Sequence, residues 1–103
     1  MSTERQTNES MLASKARMPD HVVHRAFVKE TVVLNLQSGK YHGLNPTAGR
    51  MLEVVAASAT LRDAAAKLAD EYDRPAEEIE ADLCDFCAEL LERGLIEIGE
   101  PDD

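Results

Sequence analysis

The sequence predicts an α+β fold of winged helix-turn-helix type, with a three-stranded antiparallel sheet followed by three α-helices. Two observations support this prediction. Three short segments rich in β-branched and aromatic residues lie within residues 21–44. Three segments with apolar residues at helical spacing follow within residues 45–94, and each has a recognisable start or stop signal. A chain of 103 residues has room for one domain of this kind.

The three strands are expected over residues 21–27, 31–36 and 40–44. Between the second and third, Ser38-Gly39 suits a two-residue hairpin loop, because glycine readily adopts the positive φ of such turns. This loop would pair Leu36 with Tyr41. Because side chains alternate across a sheet, one face would carry Leu34, Leu36 and Tyr41, and the other Val33, Asn35, His42 and Leu44. The first face is the better candidate for the core.

The first helix is expected to begin at Asn45-Pro46, because asparagine caps free N–H groups and proline suits the first helical position. It should run to about residue 57, with inward positions at Met51, Leu52 and Val55. Within it, Gly49 is either a minor weakness or a point of close backbone approach.

Two further helices have similar signals. Thr60 and Asp63 resemble a capping box at the start of the second helix, which should end near Asp73. Pro75 opens the third helix and Gly94 supplies its stop. Residues 95–98 are expected to add a short strand.

The limits of this patterning predict the domain organisation. Residues 1–20 are polar and lack periodicity, which indicates a flexible N-terminal arm. Residues 21–98 would form the folded domain, and residues 99–103 an acidic tail. No run reaches the roughly 18 apolar residues of a membrane span. Since the first 20 residues are too polar for a secretory signal, we expect a cytoplasmic protein that binds no membrane.

Cys84 and Cys87 have the spacing seen in zinc and redox sites. No second pair completes a zinc site, and a redox pair would open a helix, whereas these cysteines lie in the middle of one. We therefore interpret them as small core residues. His21 and His24 point to opposite faces of a strand and predict no metal site. The sequence shows no nucleophile with a base and no phosphate loop, so we expect neither catalysis nor a cofactor.

Charge argues against a nucleic-acid partner. The net charge is −9, and residues 61–103 carry four Lys/Arg against fifteen Asp/Glu. The third helix, which would be the recognition helix of a DNA-binding winged helix, bears seven carboxylates and one arginine over residues 77–93. Because Lys and Arg supply most of the affinity for phosphate backbones, a DNA-binding regulator is the weakest alternative.

The third strand and third helix together outline a groove. The strand over residues 40–44 is an edge whose free main-chain groups can pair with a peptide or a second copy of the chain, and Gly43 would allow close approach. The helix carries an apolar stripe of Ile79, Leu83, Phe86 and Leu90, widened on one flank by Cys84, Cys87 and Leu91. Part of this arc can line a groove, unless the sheet or Ile96 and Ile98 cover it. An edge beside an apolar helix flank suits an added peptide strand.

This ordered set of segments resembles the PqqD family, the recognition elements of pathways that modify ribosomally made peptides. The resemblance covers residues 21–98 and rests on Val32-Val-Leu-Asn-Leu36, Gly39-Lys-Tyr41, Leu44-Asn45 and an acidic helix closing on Leu90-Leu-Glu-Arg-Gly-Leu95. It implies a non-catalytic adaptor, or peptide chaperone, that binds the leader of a precursor peptide as an added strand. The adaptor would present the precursor to a separate enzyme, such as a radical SAM maturase or a leader peptidase.

Carried over by position, the resemblance implies peptide-binding residues on both walls of the groove. The strand wall would comprise Lys40, Tyr41, His42, Gly43 and Leu44, and the helix wall Ile79, Asp82, Leu83, Phe86 and Cys87. Asp82 or Asp85 would meet a leader Lys or Arg. Some lasso-type members carry Trp where this chain has Met51-Leu52, so the pathway stays unassigned. The alternative function is a general interaction or regulatory module that docks on an enzyme and binds no leader.

Overall fold

The computed structural model describes residues 3–101, with side chains from residue 8 onward. In chain order the elements are α1 (Thr3–Leu12), β1 (Lys15–Arg17), β2 (Val22–Ala26), β3 (Thr31–Asn35), β4 (Tyr41–Leu44), α2 (Pro46–Ala57), α3 (Leu61–Tyr72), α4 (Ala76–Glu92) and β5 (Glu97–Gly99). Strands β2, β3 and β4 form an antiparallel sheet in that order, and β1 pairs with β5 in a separate two-stranded ladder. The expected α+β architecture, a three-stranded sheet followed by three helices, is confirmed.

The helix boundaries lie where the capping residues predict them. The Asn45 side chain accepts a hydrogen bond from the Ala48 N–H at 2.8 Å and starts α2. The Thr60 hydroxyl accepts from the Asp63 N–H at 3.1 Å and starts α3. At the end of α4, Gly94 has φ +72°, in the left-handed region, and the chain reverses there. Local signals therefore determine one end of each of these three helices.

The hairpin between β3 and β4 differs from the predicted one. Its strands meet at Asn35 and Lys40, so the chain turns over residues 36–39 rather than over Ser38-Gly39 alone. The Asn35 carboxamide oxygen accepts hydrogen bonds from the N–H groups of Gln37 (2.9 Å) and Ser38 (3.2 Å) and stabilises this longer turn. As a result the register shifts by two residues, and Tyr41 pairs with Leu34.

The buried face of the sheet is opposite to the predicted one. A register shift of two residues preserves the two faces, but Val33 is fully buried and Leu44 is 8% exposed, whereas Leu36 and Tyr41 are 58% and 73% exposed. Helix α2 packs on β3 and β4 and covers the face that carries Val33. The prediction was wrong because it compared the apolar residues on the two faces. It treated the polar Asn35 as a core position, although its side chain stabilises the turn.

The N-terminal segment also differs from the expected flexible arm. Residues 15–17 pair with residues 97–99, and Leu12 and Ala16 are buried in the core. The Lys15 ammonium donates to the carbonyl oxygens of Ala56 (2.9 Å) and Ser58 (2.7 Å) at the C-terminal end of α2, where a cation is favourable. The polar composition of residues 1–20 gave no sign that Leu12, Lys15 and Ala16 attach this segment to the domain. Residues 1–2 of the arm, and residues 102–103 of the expected acidic tail, lie outside the described part.

Helix α1 packs against α4 beside the two cysteines. The Cys84 thiol lies 3.8 Å from the Asn8 carbonyl oxygen, and neither Cys84 nor Cys87 is more than 2% exposed. Burial raises the pKa of the Cys87 thiol to about 12. It also raises the pKa of Cys84, assisted by the nearby carboxylates of Asp85 and Glu80. Both thiols are thus neutral core groups at neutral pH.

Gly49 lies where α2 crosses β3, and it provides a test of this packing. A Cβ atom there would overlap the Thr31 hydroxyl oxygen and lie 3.0 Å from the Thr31 Cβ. Gly→Ala in a helix normally gains up to about 1 kcal/mol. Here we expect Gly49→Ala to lower the free energy of unfolding by about 1–3 kcal/mol, because the overlap must be relieved. Urea unfolding measures the change, and Thr31→Ala in the same protein should restore part of it. A more stable Gly49→Ala protein would contradict the close approach.

The cysteines give a second test. In the native protein at pH 7 we expect both thiols to react slowly with Ellman's reagent, since they are buried and protonated, and to react at once in denaturant. Deleting residues 1–10 removes most of α1 and should accelerate labelling of Cys84 in a protein that stays folded. A Cys84→Ala variant identifies which thiol responds. Rapid labelling of both thiols in the native protein would refute the packing of α1 on α4.

Candidate functional site

Strand β4 is an edge of the β2-β3-β4 sheet. The Asn35 N–H donates to the Lys40 C=O at 2.9 Å, and hydrogen-bonded pairs alternate along an antiparallel ladder. His42 therefore bonds to β3 as well. The N–H and C=O groups of Tyr41 and Gly43 point away from β3, toward the open side. These four groups are the ones that an added strand would meet.

The side chains of the predicted strand wall lie on two faces. Lys40 and Tyr41 are exposed, His42 is half-buried and Leu44 is buried. The position that a Cβ of Gly43 would occupy lies 2.7 Å from a carboxylate oxygen of Glu30. Gly43 thus leaves room for a flexible acidic side chain beside the open edge, as well as for close approach of another backbone.

The predicted helix wall is only partly accessible. Ile79 is 5% exposed, and Leu83 and Cys87 are fully buried, so these side chains belong to the core. Asp82 is exposed and Phe86 half-buried, and these two reach the surface. The apolar flank at the cysteines, which was expected either to line part of the groove or to be covered, is covered, and α1 packs against α4 at Cys84.

A pocket of about 250 Å³ lies between α2, α3 and α4. Its lining is mostly apolar and consists of Thr47, Met51, Leu68, Tyr72, Arg74, Ile79 and Asp82. Asn45 caps α2 directly after β4, so Thr47 lies within one helical turn of the end of that strand. Only Ile79 and Asp82 of this lining were among the predicted site residues. The other five come together through helix packing, for which the sequence offered no signal beyond helical spacing.

The charged groups at this pocket, Arg74 and Asp82, are already paired. The Arg74 guanidinium lies 2.7 Å from the Glu78 carboxylate and 3.5 Å from that of Asp82. These contacts, with Glu78 foremost, raise the pKa of Arg74 above its usual value. A basic side chain of a ligand would therefore have to compete with Arg74 for Asp82, whereas Asp85 is exposed on the next turn. Asp85 is the more accessible partner for such a side chain.

The described residues offer neither a metal site nor a membrane-spanning helix. Within that part of the chain, no group of three His, Cys, Asp or Glu residues is placed to hold a metal ion. No helix in residues 3–101 is long and apolar enough to cross a membrane. The geometry that remains is an unpaired strand edge next to a small apolar pocket. That combination can hold an extended peptide by main-chain hydrogen bonds and one enclosed side chain.

Two solved structures share this fold. One is described as TbiB1 in complex with the TbiA(beta) leader peptide; it is 28% identical, with a TM-score of 0.72, and the match covers 79% of this chain and 94% of that chain. The other is described as lasso peptide synthetase B1 complexed with the leader peptide. It is 24% identical with a TM-score of 0.72, covers 81% of this chain and 98% of that chain, and shows the fold alone. A search among curated proteins found no match.

The family comparison agrees with the arrangement of these elements. Residues 30–96 match the family described as Coenzyme PQQ synthesis protein D (PqqD). This match extends from the start of β3 through α4 and so includes the open edge, all three helices of the winged fold and the pocket between them. The chain belongs to the PqqD family.

Proposed function

We propose that this chain is a non-catalytic adaptor that binds the leader of a ribosomally made precursor peptide and presents it to a separate modifying enzyme. The leader would pair with β4 as a fourth strand of the sheet. The single observation that supports this most is the open edge, where the main-chain groups of Tyr41 and Gly43 face away from β3. TbiB1, a 28% identical relative, was solved in complex with a leader peptide.

The pocket has room for part of a peptide ligand. Its volume of about 250 Å³ lies at the lower end of the range of about 300–1,000 Å³ that is usual for small-molecule sites. It suits one apolar side chain of a strand that runs along β4. In the proposal, main-chain pairing sets the register of the leader and the pocket selects the apolar residue. Phe86, half-buried on α4, would contact the same peptide.

The proposal predicts saturable binding of a leader peptide. The full chain should be titrated with the fluorescently labelled leader segment of the precursor encoded beside it, with a scrambled leader as control. We expect saturation with the native leader only, because the order of apolar residues must match the pocket. Equal binding of the scrambled peptide, or no binding of any neighbouring precursor, would refute the proposal.

Main-chain pairing is tested by proline at Tyr41. Tyr41→Pro removes an N–H from the open edge and should weaken leader binding about 5–10-fold, the effect of one lost hydrogen bond, with little loss of stability. Tyr41→Ala is the matched control for the lost side chain and should weaken binding less. His42→Pro should behave differently, because its N–H bonds to β3, and it should lower the free energy of unfolding. Identical binding by Tyr41→Pro and Tyr41→Ala would exclude the Tyr41 N–H as a contact.

Side-chain selection is tested by filling the pocket. Thr47 is exposed and lines the pocket, so Thr47→Trp should occupy it and weaken leader binding about tenfold or more, the effect of excluding one buried apolar side chain. Lys67→Trp on α3 is exposed and outside the pocket, and it should bind as the wild type does. Fluorescence anisotropy measures both, and circular dichroism checks that both are folded. Unchanged binding by Thr47→Trp would show that the leader does not use the pocket.

A further inference from the structure

The outer face of the β2-β3-β4 sheet is apolar and exposed. It carries Val23, Val32, Leu34, Leu36 and Tyr41, with Phe27 at its end, and we call this set the outer face. The register places Val23, Leu34 and Tyr41 side by side in one row across the three strands. Val23, Phe27, Leu36 and Tyr41 are each 45–73% exposed. Of the seven large apolar side chains that the described part exposes, five lie on the strands or connecting turns of this sheet: Val23, Phe27, Val28, Leu36 and Tyr41. Such a concentration marks an interaction surface.

The charges around the outer face differ in sign from the rest of the domain. Residues 21–44 carry three Lys/Arg against one Glu, whereas residues 45–101 carry five Lys/Arg against fourteen Asp/Glu. The three cations are Arg25, Lys29 and Lys40, and all are exposed. Arg25 lies on the outer face itself, in the row of Val32 and Gly43. One carboxylate, that of Glu30, also lies on this face, beside Gly43. The outer face is thus an apolar patch with a net basic rim on a protein that is acidic elsewhere.

These charges discriminate between possible occupants. A second copy packed face to face would bring two basic rims together, which is unfavourable. Binding to an anionic membrane would gain only about 1 kcal/mol of free energy from each of the three cations, and the net charge of −9 would oppose it. A protein surface with an apolar centre and a few acidic residues around it pairs with the three cations locally, without the extended negative potential of a membrane. It would also bury the exposed apolar side chains.

The position of the outer face, beside the β4 edge, points to the partner that docks on it. An added strand on β4 would place alternate side chains on the outer face, in line with Tyr41 and Gly43. A protein docked there therefore touches the bound peptide as well as the sheet. We propose that the outer face is the docking surface for the modifying enzyme that acts on the precursor, and that the enzyme presents an acidic-rimmed apolar patch to it. This inference rests on the proposed function and adds the surface that the partner uses.

The test uses the full chain and the modifying enzyme encoded beside it, purified and immobilised for biolayer interferometry. The double variant V23D/L36D changes two exposed positions that lie outside the peptide-binding edge and pocket. We expect it to bind the enzyme at least about tenfold more weakly, because apolar contacts are replaced by charges that face an acidic rim. Binding of the wild type should also weaken as salt increases. Leu91→Asp, at an exposed apolar position on α4, is the matched control and should bind the enzyme as the wild type does.

Several results would overturn the inference. They are no binding of the wild type to the enzyme, equal binding by V23D/L36D, or an equal loss with Leu91→Asp. Another is a wild-type dimer in sedimentation that V23D/L36D abolishes, which assigns the face to a second copy. Capture by vesicles rich in an anionic phospholipid, lost in the same variant, assigns it to a membrane.

Leader titration separates this inference from the proposed function. V23D/L36D should bind the leader as the wild type does, since neither side chain lies at the β4 edge. If the wild type binds the enzyme through the outer face but binds no leader, the proposed function fails and the docking surface stands. If it binds the leader and the variant binds the enzyme normally, only the docking surface fails.

Discussion

The close approach of α2 to β3 at Gly49 and Thr31 determines the arrangement of the rest of the molecule. Because no side chain separates the helix from the strand, α2 covers the face of the sheet that carries Val33 and Leu44. The opposite face and the β4 edge are then left to solvent. The same placement brings Thr47 and Met51 against α3 and α4, where they enclose the pocket. The edge, the pocket and the outer face are thus arranged around the contact between α2 and β3.

Much of the fold was predictable because its signals are local. Asn45, Thr60 and Gly94 determine helix ends through their own hydrogen bonds and backbone angles, and these can be recognised from a few neighbouring residues. The buried face of the sheet could not be predicted in this way. Burial depends on which face of the sheet the helix covers. Gly49 permits the close approach of α2 to one face, but the sequence alone does not distinguish a point of close approach from a weak position in the helix. The longer turn was not predicted for a related reason. The sequence does not show that the Asn35 side chain, at the end of β3, accepts hydrogen bonds from the N–H groups of Gln37 and Ser38.

The candidate site was predictable in outline only. The edge strand and the direction of His42 and Leu44 follow from strand order and alternation. The helix wall does not, because Leu83 and Cys87 share an apolar arc with accessible residues and are covered by neighbouring elements. The pocket required the packing of three helices. A winged fold alone does not identify the ligand. In this protein the acidic surface of α4 makes a phosphate backbone an unfavourable partner, whereas the sheet carries a net positive charge.

The ladder between β1 and β5 has a consequence for how this domain is joined to other polypeptides. Residues 15–17 and 97–99 lie side by side, so a segment attached after β5 would leave the domain beside β1, whereas a segment attached before α1 would leave it one 10-residue helix further on. Neither strand belongs to the β2-β3-β4 sheet, and a fusion at either end would leave the edge of β4 unpaired. A leader tethered to either end by a linker long enough to reach β4 would convert a two-component binding event into an intramolecular one.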